Sequence, residues 1–572
     1  MTTKLSVYCD KVIESGWLLA VILVPLFFNV YSSRVFEPDK LTLLRSIVLV
    51  MIVAWLIKVL DRVSWGGDVE QDAENANSDA VGEGIGASVR RWLLDVPMVL
   101  PTLLMVVVYI ISTIASVVPS VSLLGSYQRL QGTYTTFSYI LVFFMILQGM
   151  RKRDQLDRLV TAVLLSSLSI SLYGIIQHDK LDPLPWGGDV TSRVAANMGN
   201  AIFIAAYLIM AIPLALGRVI ETLGKISDPQ RTQRSAVFTV VYLVLLVAQM
   251  AVWVKYGFLA GLFSGLGLIL LVIIGSLFLE RPVAQFALLG AYSFILVSQI
   301  IALLFSQSRG PWLGMLTGLY IFVLLALTSL RRRAADQSKL TLKEMGTAVL
   351  FAILSPLILL APAYALMVVL RKGARWLWLS WLLQALVGLV FLLALNLPGT
   401  PLAPARSLPY VGRLGSLLSE GGTGQVRVLI WEGAVKMLSP HEPLKYPSGQ
   451  TDSLNDIRPL IGYGPESMYV AYNPFYRPQL AQLEARNASP DRAHNEAFDS
   501  LIITGYLGFL AYLAVFGGIF YYGLKCLGMV GARRHRNVFL GAWIGGGVIG
   551  ALLAYLLDGS MRYFGVGLPL GC

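Results

Sequence analysis

The hydrophobic positions of this chain fall in runs, not in stripes. Stretches such as 96–119, 257–278 and 376–397 are apolar on every side. A surface helix of a soluble protein keeps a polar face, and about 20 apolar residues suffice to cross a bilayer. The pattern predicts helices near 16–33, 41–60, 96–119, 134–149, 157–176, 197–217, 236–254, 257–279, 283–305, 311–330, 376–397, 497–524 and 538–557. A further apolar stretch, 346–370, is interrupted by Pro356 and Pro362 and followed by Arg371, Lys372 and Arg375. Proline breaks a helix, and basic residues stay on the cytoplasmic side. This stretch is therefore expected to be re-entrant or a short hairpin with both ends cytoplasmic.

Two intervals do not fit the membrane pattern. Residues 66–88 are polar, rich in Gly, Ala and Asp, and without apolar periodicity, which predicts a disordered cytoplasmic linker. Residues 398–496 hold Trp431 and many tyrosines. Within them Val426, Leu429, Ile430, Gly433 and Met437 fall at helical spacing, predicting a helix over 425–438 that ends at Ser439-Pro440. The expected fold class is all-α: a polytopic membrane protein with about 13–14 hydrophobic helices and one large helical extracytoplasmic loop. Its expected parts are a multi-helix membrane domain over 1–397, the loop domain 398–496 and C-terminal membrane helices over 497–572.

Composition supports this. Of 572 residues, 56% are hydrophobic and 14% charged, against about 45–50% and 25% in soluble domains. The net charge of +12 comes from clusters in alternate short loops. These are Arg90/Arg91, Arg151/Lys152/Arg153, Arg218/Lys225/Arg231/Arg234, Arg331/Arg332/Arg333 and Arg533/Arg534/Arg536. Such alternation marks cytoplasmic loops, so the N-terminus is expected inside, the long loop outside, and nucleic acid is not an expected partner. No cleavable signal peptide is expected, because the first apolar run has no small-residue cleavage site close behind it. The three cysteines (Cys9, Cys526, Cys572) and four histidines (His178, His441, His494, His535) are scattered. They give no disulfide framework and no metal-ligand spacing, so neither metal nor cofactor is expected.

The spans are nearly free of ionisable groups, which a midplane transport site would need. Unusual polar residues gather instead at the expected outer ends. Arg309 lies in SQSRGPW (306–312), where Gly310 and Pro311 predict a turn and a helix start, with Pro311 at its first position. An arginine beside free N–H groups at a helix N-terminus favours an anion. His494 lies in SPDRAHNE (489–496). Ser489 is a candidate N-cap, Pro490 a first helical residue and Asp491 a complement to the helix dipole. His494 then falls in the early turns of a helix, where an imidazole can act as a base. Arg427 and Trp431 stand one turn apart, and Arg193 precedes the 197–217 helix.

Several stretches resemble the O-antigen ligase and polysaccharide polymerase family of membrane glycosyltransferases. They are FEPDKLTLLR (36–45), GSYQRLQGTYTT (125–136), YGIIQHDKLDPLPW (173–186), RVAANMGNAIFIAAYL (193–208), SQSRGPWLGMLTG (306–318), RVLIWEGAVKML (427–438), PLIGYGPESM (459–468) and DRAHNEAFDSLIITGYLGFLAYL (491–513). The resemblance implies a glycosyltransferase C-type membrane fold in a bacterial-type cytoplasmic membrane. It implies metal-independent, inverting transfer of a glycan from a polyprenyl-diphosphate carrier to a hydroxyl on a glycan, lipid or protein acceptor. Arg309, Arg193 and Arg427 would bind the diphosphate and His494 would activate the acceptor. Asp491, Asn495, Glu496 and Trp431 would support them. The competing expectations are a transporter or flippase for such a lipid, and a non-catalytic membrane scaffold.

Overall fold

The computed structural model describes residues 3–32, 36–66, 92–93, 96–186, 188–226, 233–333, 340–354, 376–397, 399–408, 410–415, 423–446, 449–484 and 488–530. Among them the chain is helical, with one isolated bridge, Lys445 to Thr451, and no strand. Eight of these helices are long and apolar enough to cross a membrane: Glu37–Asp61, Arg153–His178, Ala201–Ile226, Val237–Leu279, Val283–Phe305, Arg309–Thr328, Leu377–Asn396 and Glu496–Cys526. Val99–Ile114 and Thr133–Gly149 are shorter apolar helices. This is a multi-pass membrane protein. The expected helix over 538–557 and linker over 66–88 lie outside the described residues, save Gly66. So does most of 346–370, of which the helix Leu342–Leu354 is seen.

The first helix differs from expectation. It spans Lys4–Leu26, not 16–33. Its start is amphipathic: Cys9, Ile13 and Trp17 are buried, and Asp10 pairs with Lys58. It stops because its last carbonyls find side-chain donors. Asn197 Nδ2 donates to Pro25 O and Leu26 O, at 2.7 and 2.8 Å, and Lys40 Nζ donates to Pro25 O at 2.7 Å. Such bonds satisfy the orphan carbonyls of a helix end.

The chain divides into two compact units. One comprises Leu18–Lys40 and Met150–Gly415. Its central helix is Val283–Phe305, with Leu289, Val297, Ile301 and Ala302 fully enclosed. Polar bonds cross between its helices, Gln299 Nε2 donating to Ser167 Oγ at 2.7 Å and Tyr242 OH meeting Ser293 Oγ at 2.6 Å. Such bonds and small-residue contacts hold helices together where lipid removes the hydrophobic drive.

The helix Gln233–Leu279 has 47 residues, which at about 1.5 Å each would run more than twice the ~30 Å hydrocarbon core. It does not run straight. Gly257 takes φ 79° and ψ −169°, a conformation open to glycine, and the two halves fold back on each other. A side chain at Gly261 would strike Trp253, one at Gly265 would strike Gln249, and one at Gly275 would strike Phe238. Those pairs have the register of an antiparallel hairpin, so the two helices expected over 236–254 and 257–279 are two crossings. Asp179 caps the second half, its carboxylate accepting the N–H of Phe258. The corner at Gly257 therefore lies at the end of the bundle where the helix Arg153–His178 finishes. The other end carries Arg218 paired with Asp157, Lys225 with Glu221 and Arg234 near Glu280.

The second unit comprises Met1–Trp17, Leu41–Gly149 and Ser416–Cys572. Its helix Glu496–Cys526 breaks at Gly505 (φ 68°, ψ −170°). The break releases the Ile502 and Ile503 carbonyls, which accept the N–H groups of Tyr463 and Gly464 at 2.8 and 3.0 Å. Irregular backbone beside an apolar helix is tolerated only where protein satisfies it. Gly462 is needed for that approach, since a Cβ there would collide with the Ile503 carbonyl. The docked segment is pinned by Arg458, which is 2% exposed. Arg458 binds Asp452 through Nε and Nη2 at 2.7 and 2.9 Å and donates Nη1 to the Ala115 and Gly462 carbonyls.

Candidate functional site

In the unit containing Met150–Gly415, the ends of three helices converge on an arginine cluster. The helix Arg309–Arg333 starts at Arg309 itself, so Pro311 is its third residue and not its first. Gln307, two residues before, holds a strained left-handed backbone at φ 49°, and such outliers concentrate at functional sites. Its side-chain Nε2 donates to Ser192 O at 2.9 Å, and its backbone carbonyl accepts from Arg413 Nη2 at 3.2 Å. The loop before Arg193 is held as firmly. His178 stacks on Phe305 at 3.7 Å and bonds Thr191 O through Nδ1 at 3.0 Å. Asp182 accepts from Trp186 Nε1 and Tyr173 OH at 2.7 and 2.8 Å. Gln177 Oε1 accepts the N–H of Ala196 at 2.7 Å.

These bonds bring Arg193, Arg309 and Arg413 together. Burial lowers the pKa of Arg193, and the charges of Arg413 and then Arg309 lower it further. Its buried Nε has no hydrogen-bond partner among the described residues. Like charges held together in this way disfavour one another and favour an incoming anion.

The second constellation lies wholly in the other unit. The helix expected to start at Ser489-Pro490 starts instead at Glu496, capped by Asn495, whose Oδ1 accepts from the N–H groups of Ala497 and Phe498 at 3.0 and 3.4 Å. Asn followed by helix formers outcompetes Ser489 because residues 489–494 are fixed by other partners. Ser489 Oγ donates to Asn473 Oδ1 at 2.9 Å, and Asp491 pairs with Arg129. Ala493 is fully buried, its N–H donated to Asp499 Oδ1 and its carbonyl accepting from Trp431 Nε1, both at 2.7 Å.

His494 is therefore in the loop just before the cap, not within helical turns, and has φ +54°. The residue is exposed overall, with its ring partly buried. That partial burial, with the charge of Arg427 next, lowers its pKa below the ordinary value, while Asp491 opposes the shift. That shift favours the neutral imidazole, the form that can take a proton. Neither Asp491 nor Glu496 bonds it; Asp491 is engaged by Arg129.

Beside this segment is a cavity of about 240 Å³. Glu466, Asp491, Glu496 and Asp499 face it, with Arg129 and Arg492, and three tyrosines share the remaining wall with small polar and apolar residues. Glu466 holds one wall by accepting the N–H groups of Ser126 and of Gln131, the latter at 2.8 Å. Arg45 holds the same loop through the Leu124 and Leu130 carbonyls, each at 2.7 Å. Among the described residues no three His, Cys, Asp or Glu side chains converge to hold a metal ion.

Arg309 and Arg193 thus share one cluster, and His494, Arg427, Trp431, Asp491, Asn495 and Glu496 share the other region. Arg413, Arg129, Glu466 and the Arg458–Asp452 pair were not legible as site residues. Arg129 and Glu466 meet partners more than 300 positions away, and Arg413 and Arg458 sit in four-residue helices too short to show in the pattern. No family model, curated protein or solved structure matches the chain.

Proposed function

We propose that this protein is a membrane glycosyltransferase of the O-antigen ligase or polymerase type. It moves a glycan from a polyprenyl-diphosphate carrier to a hydroxyl acceptor at the extracytoplasmic face. The observation that carries this reading is the convergence of Arg193, Arg309 and Arg413 at one end of a helical bundle. A diphosphate leaving group develops charge that needs several donors, and guanidinium forks match phosphate oxygens. The second element is His494, presented by a left-handed backbone, with a lowered pKa that favours the neutral form suited to accept the proton of an attacking hydroxyl. In the bond change, the acceptor oxygen forms a bond to the anomeric carbon. The bond from that carbon to the diphosphate oxygen breaks with inversion, the diphosphate keeps the electron pair, and the proton passes to His494. The face opposite the basic clusters around Arg218 and Arg234 is then the outer one.

The test is transfer by the purified chain in nanodiscs. A polyprenyl-diphosphate oligosaccharide is offered with glycolipid acceptors, and product is read by mass spectrometry in the presence of EDTA. Transfer that survives chelation and is lost in Arg309→Ala supports the reading. Absence of transfer to every acceptor, with donor intact and protein folded, overturns it.

A further inference from the structure

The cavity beside His494 is unused by the chemistry just described. Its position is suggestive: Asp491, Arg492 and Glu496 bracket His494 in sequence and all face the cavity. At about 240 Å³ it is smaller than the roughly 300–1,000 Å³ of pockets for drug-sized ligands, so it takes one ring-sized group. Its carboxylates outnumber its guanidiniums four to two, so it repels phosphate and carboxylate groups, which the arginine cluster of the other unit attracts. Two of those carboxylates are committed to protein partners, Glu466 to backbone N–H groups and Asp491 to Arg129. Glu496, which also meets the Ser500 hydroxyl, and the second oxygen of Asp499 can accept from hydroxyls, Arg492 can donate, and Tyr109, Tyr139 and Tyr469 offer apolar faces. Carboxylates with aromatic faces are the acceptor and stacking set that a polyhydroxylated ring needs.

We propose that this cavity is a monosaccharide subsite that seats a pyranose without an acidic group and turns one of its hydroxyls toward His494. The assignment rests on the glycosyltransferase reading, since it makes the seated ring the acceptor's terminal sugar. It separates the charges of the two substrates: the anionic carrier goes to arginines and the uncharged ring to acids.

The experiment is saturation-transfer NMR on the full-length chain in nanodiscs, without donor. The probes are the methyl glycosides of a neutral hexose, an N-acetylhexosamine and a hexuronic acid. At least one of the first two should saturate and the uronide should not. Tyr469 and Glu496 are partly exposed, so Tyr469→Ala and Glu496→Gln should fold and should weaken binding about ten-fold, the loss expected for one hydrogen bond to a charged group or one stacked ring. No saturation by any probe, uronide binding as good as the neutral ring, or variants that bind like the wild type would overturn the subsite. Failure of the catalytic reading looks different: the neutral ring binds and the variants lose it, yet no glycan is transferred from the diphosphate carrier.

Discussion

Trp431 donates its indole N–H to the carbonyl of Ala493, the residue before His494, at 2.7 Å. The same indole stacks on Phe498 with ring centroids 5.7 Å apart. One side chain from the helix Thr423–Leu438 thus fixes the backbone on the near side of the histidine and the first turn of the helix beyond it. Trp431→Phe keeps the ring and orphans a buried carbonyl, which costs about 1–3 kcal/mol. We expect a lower melting temperature and slower transfer with unchanged donor KM. A variant with wild-type turnover would show that the clamp does not serve His494.

The pH dependence follows from the environment of His494. Its pKa is lowered by burial and then by Arg427, so the neutral base persists below the ordinary value of about 6.5. As pH falls, the single-turnover rate should hold through 6.5 and drop only below it. Arg427→Ala removes one cause of the shift and should move the acid limb upward. An acid limb that does not move on this substitution would separate Arg427 from the histidine.

The arginines should divide by geometry as well as charge. Arg309→Ala should be nearly inactive and Arg309→Lys partly active, because lysine keeps the charge without the fork. Arg413→Ala should raise donor KM by about ten-fold or more, as loss of a hydrogen bond to a charged group does. Donor affinity measured with a non-transferable diphosphate lipid checks both. His494→Ala should leave that affinity unchanged while lowering turnover about 10²–10⁴-fold.

Membrane topology can be read by labelling. Single cysteines placed in 398–496 should react with an impermeant reagent added from outside, and those in 66–88 should not. Labelling of the long loop only after permeabilisation would invert the assignment of faces.

Much of the membrane pattern was legible because it is local. The helix Val283–Phe305 matches its apolar run to the residue, and Gly257 divides two runs where the hydropathy does. Arg309 was legible at a helix start because Gly310 and Pro311 announce one. What failed was capping: Ser489-Pro490 has the composition of a helix start, yet the helix starts at Glu496 with Asn495 as its cap. Side-chain bonds from Asn473, Arg129 and Trp431 decide that, and none is near in sequence. The first helix failed for a similar reason, its amphipathic beginning being stabilised by Met51 and Lys58 packing against Gly16 and Asp10.

The division of the chain also sets an order of events on the ribosome. Apart from Leu18–Lys40, one unit is the continuous stretch Met150–Gly415, whereas its companion joins Met1–Trp17 and Leu41–Gly149 to Ser416–Cys572. At roughly 5–20 residues per second, Tyr109 and Arg129 wait many seconds before Glu466, Asp491 and Glu496 are synthesised. Until then Arg45 and Thr135 hold the loop at Leu130, and the helix Val99–Ile114 has no Ile503 carbonyl to receive the Ser112 hydroxyl. The cavity is thus completed late in synthesis, once Glu466, Asp491 and Glu496 join Tyr109 and Arg129.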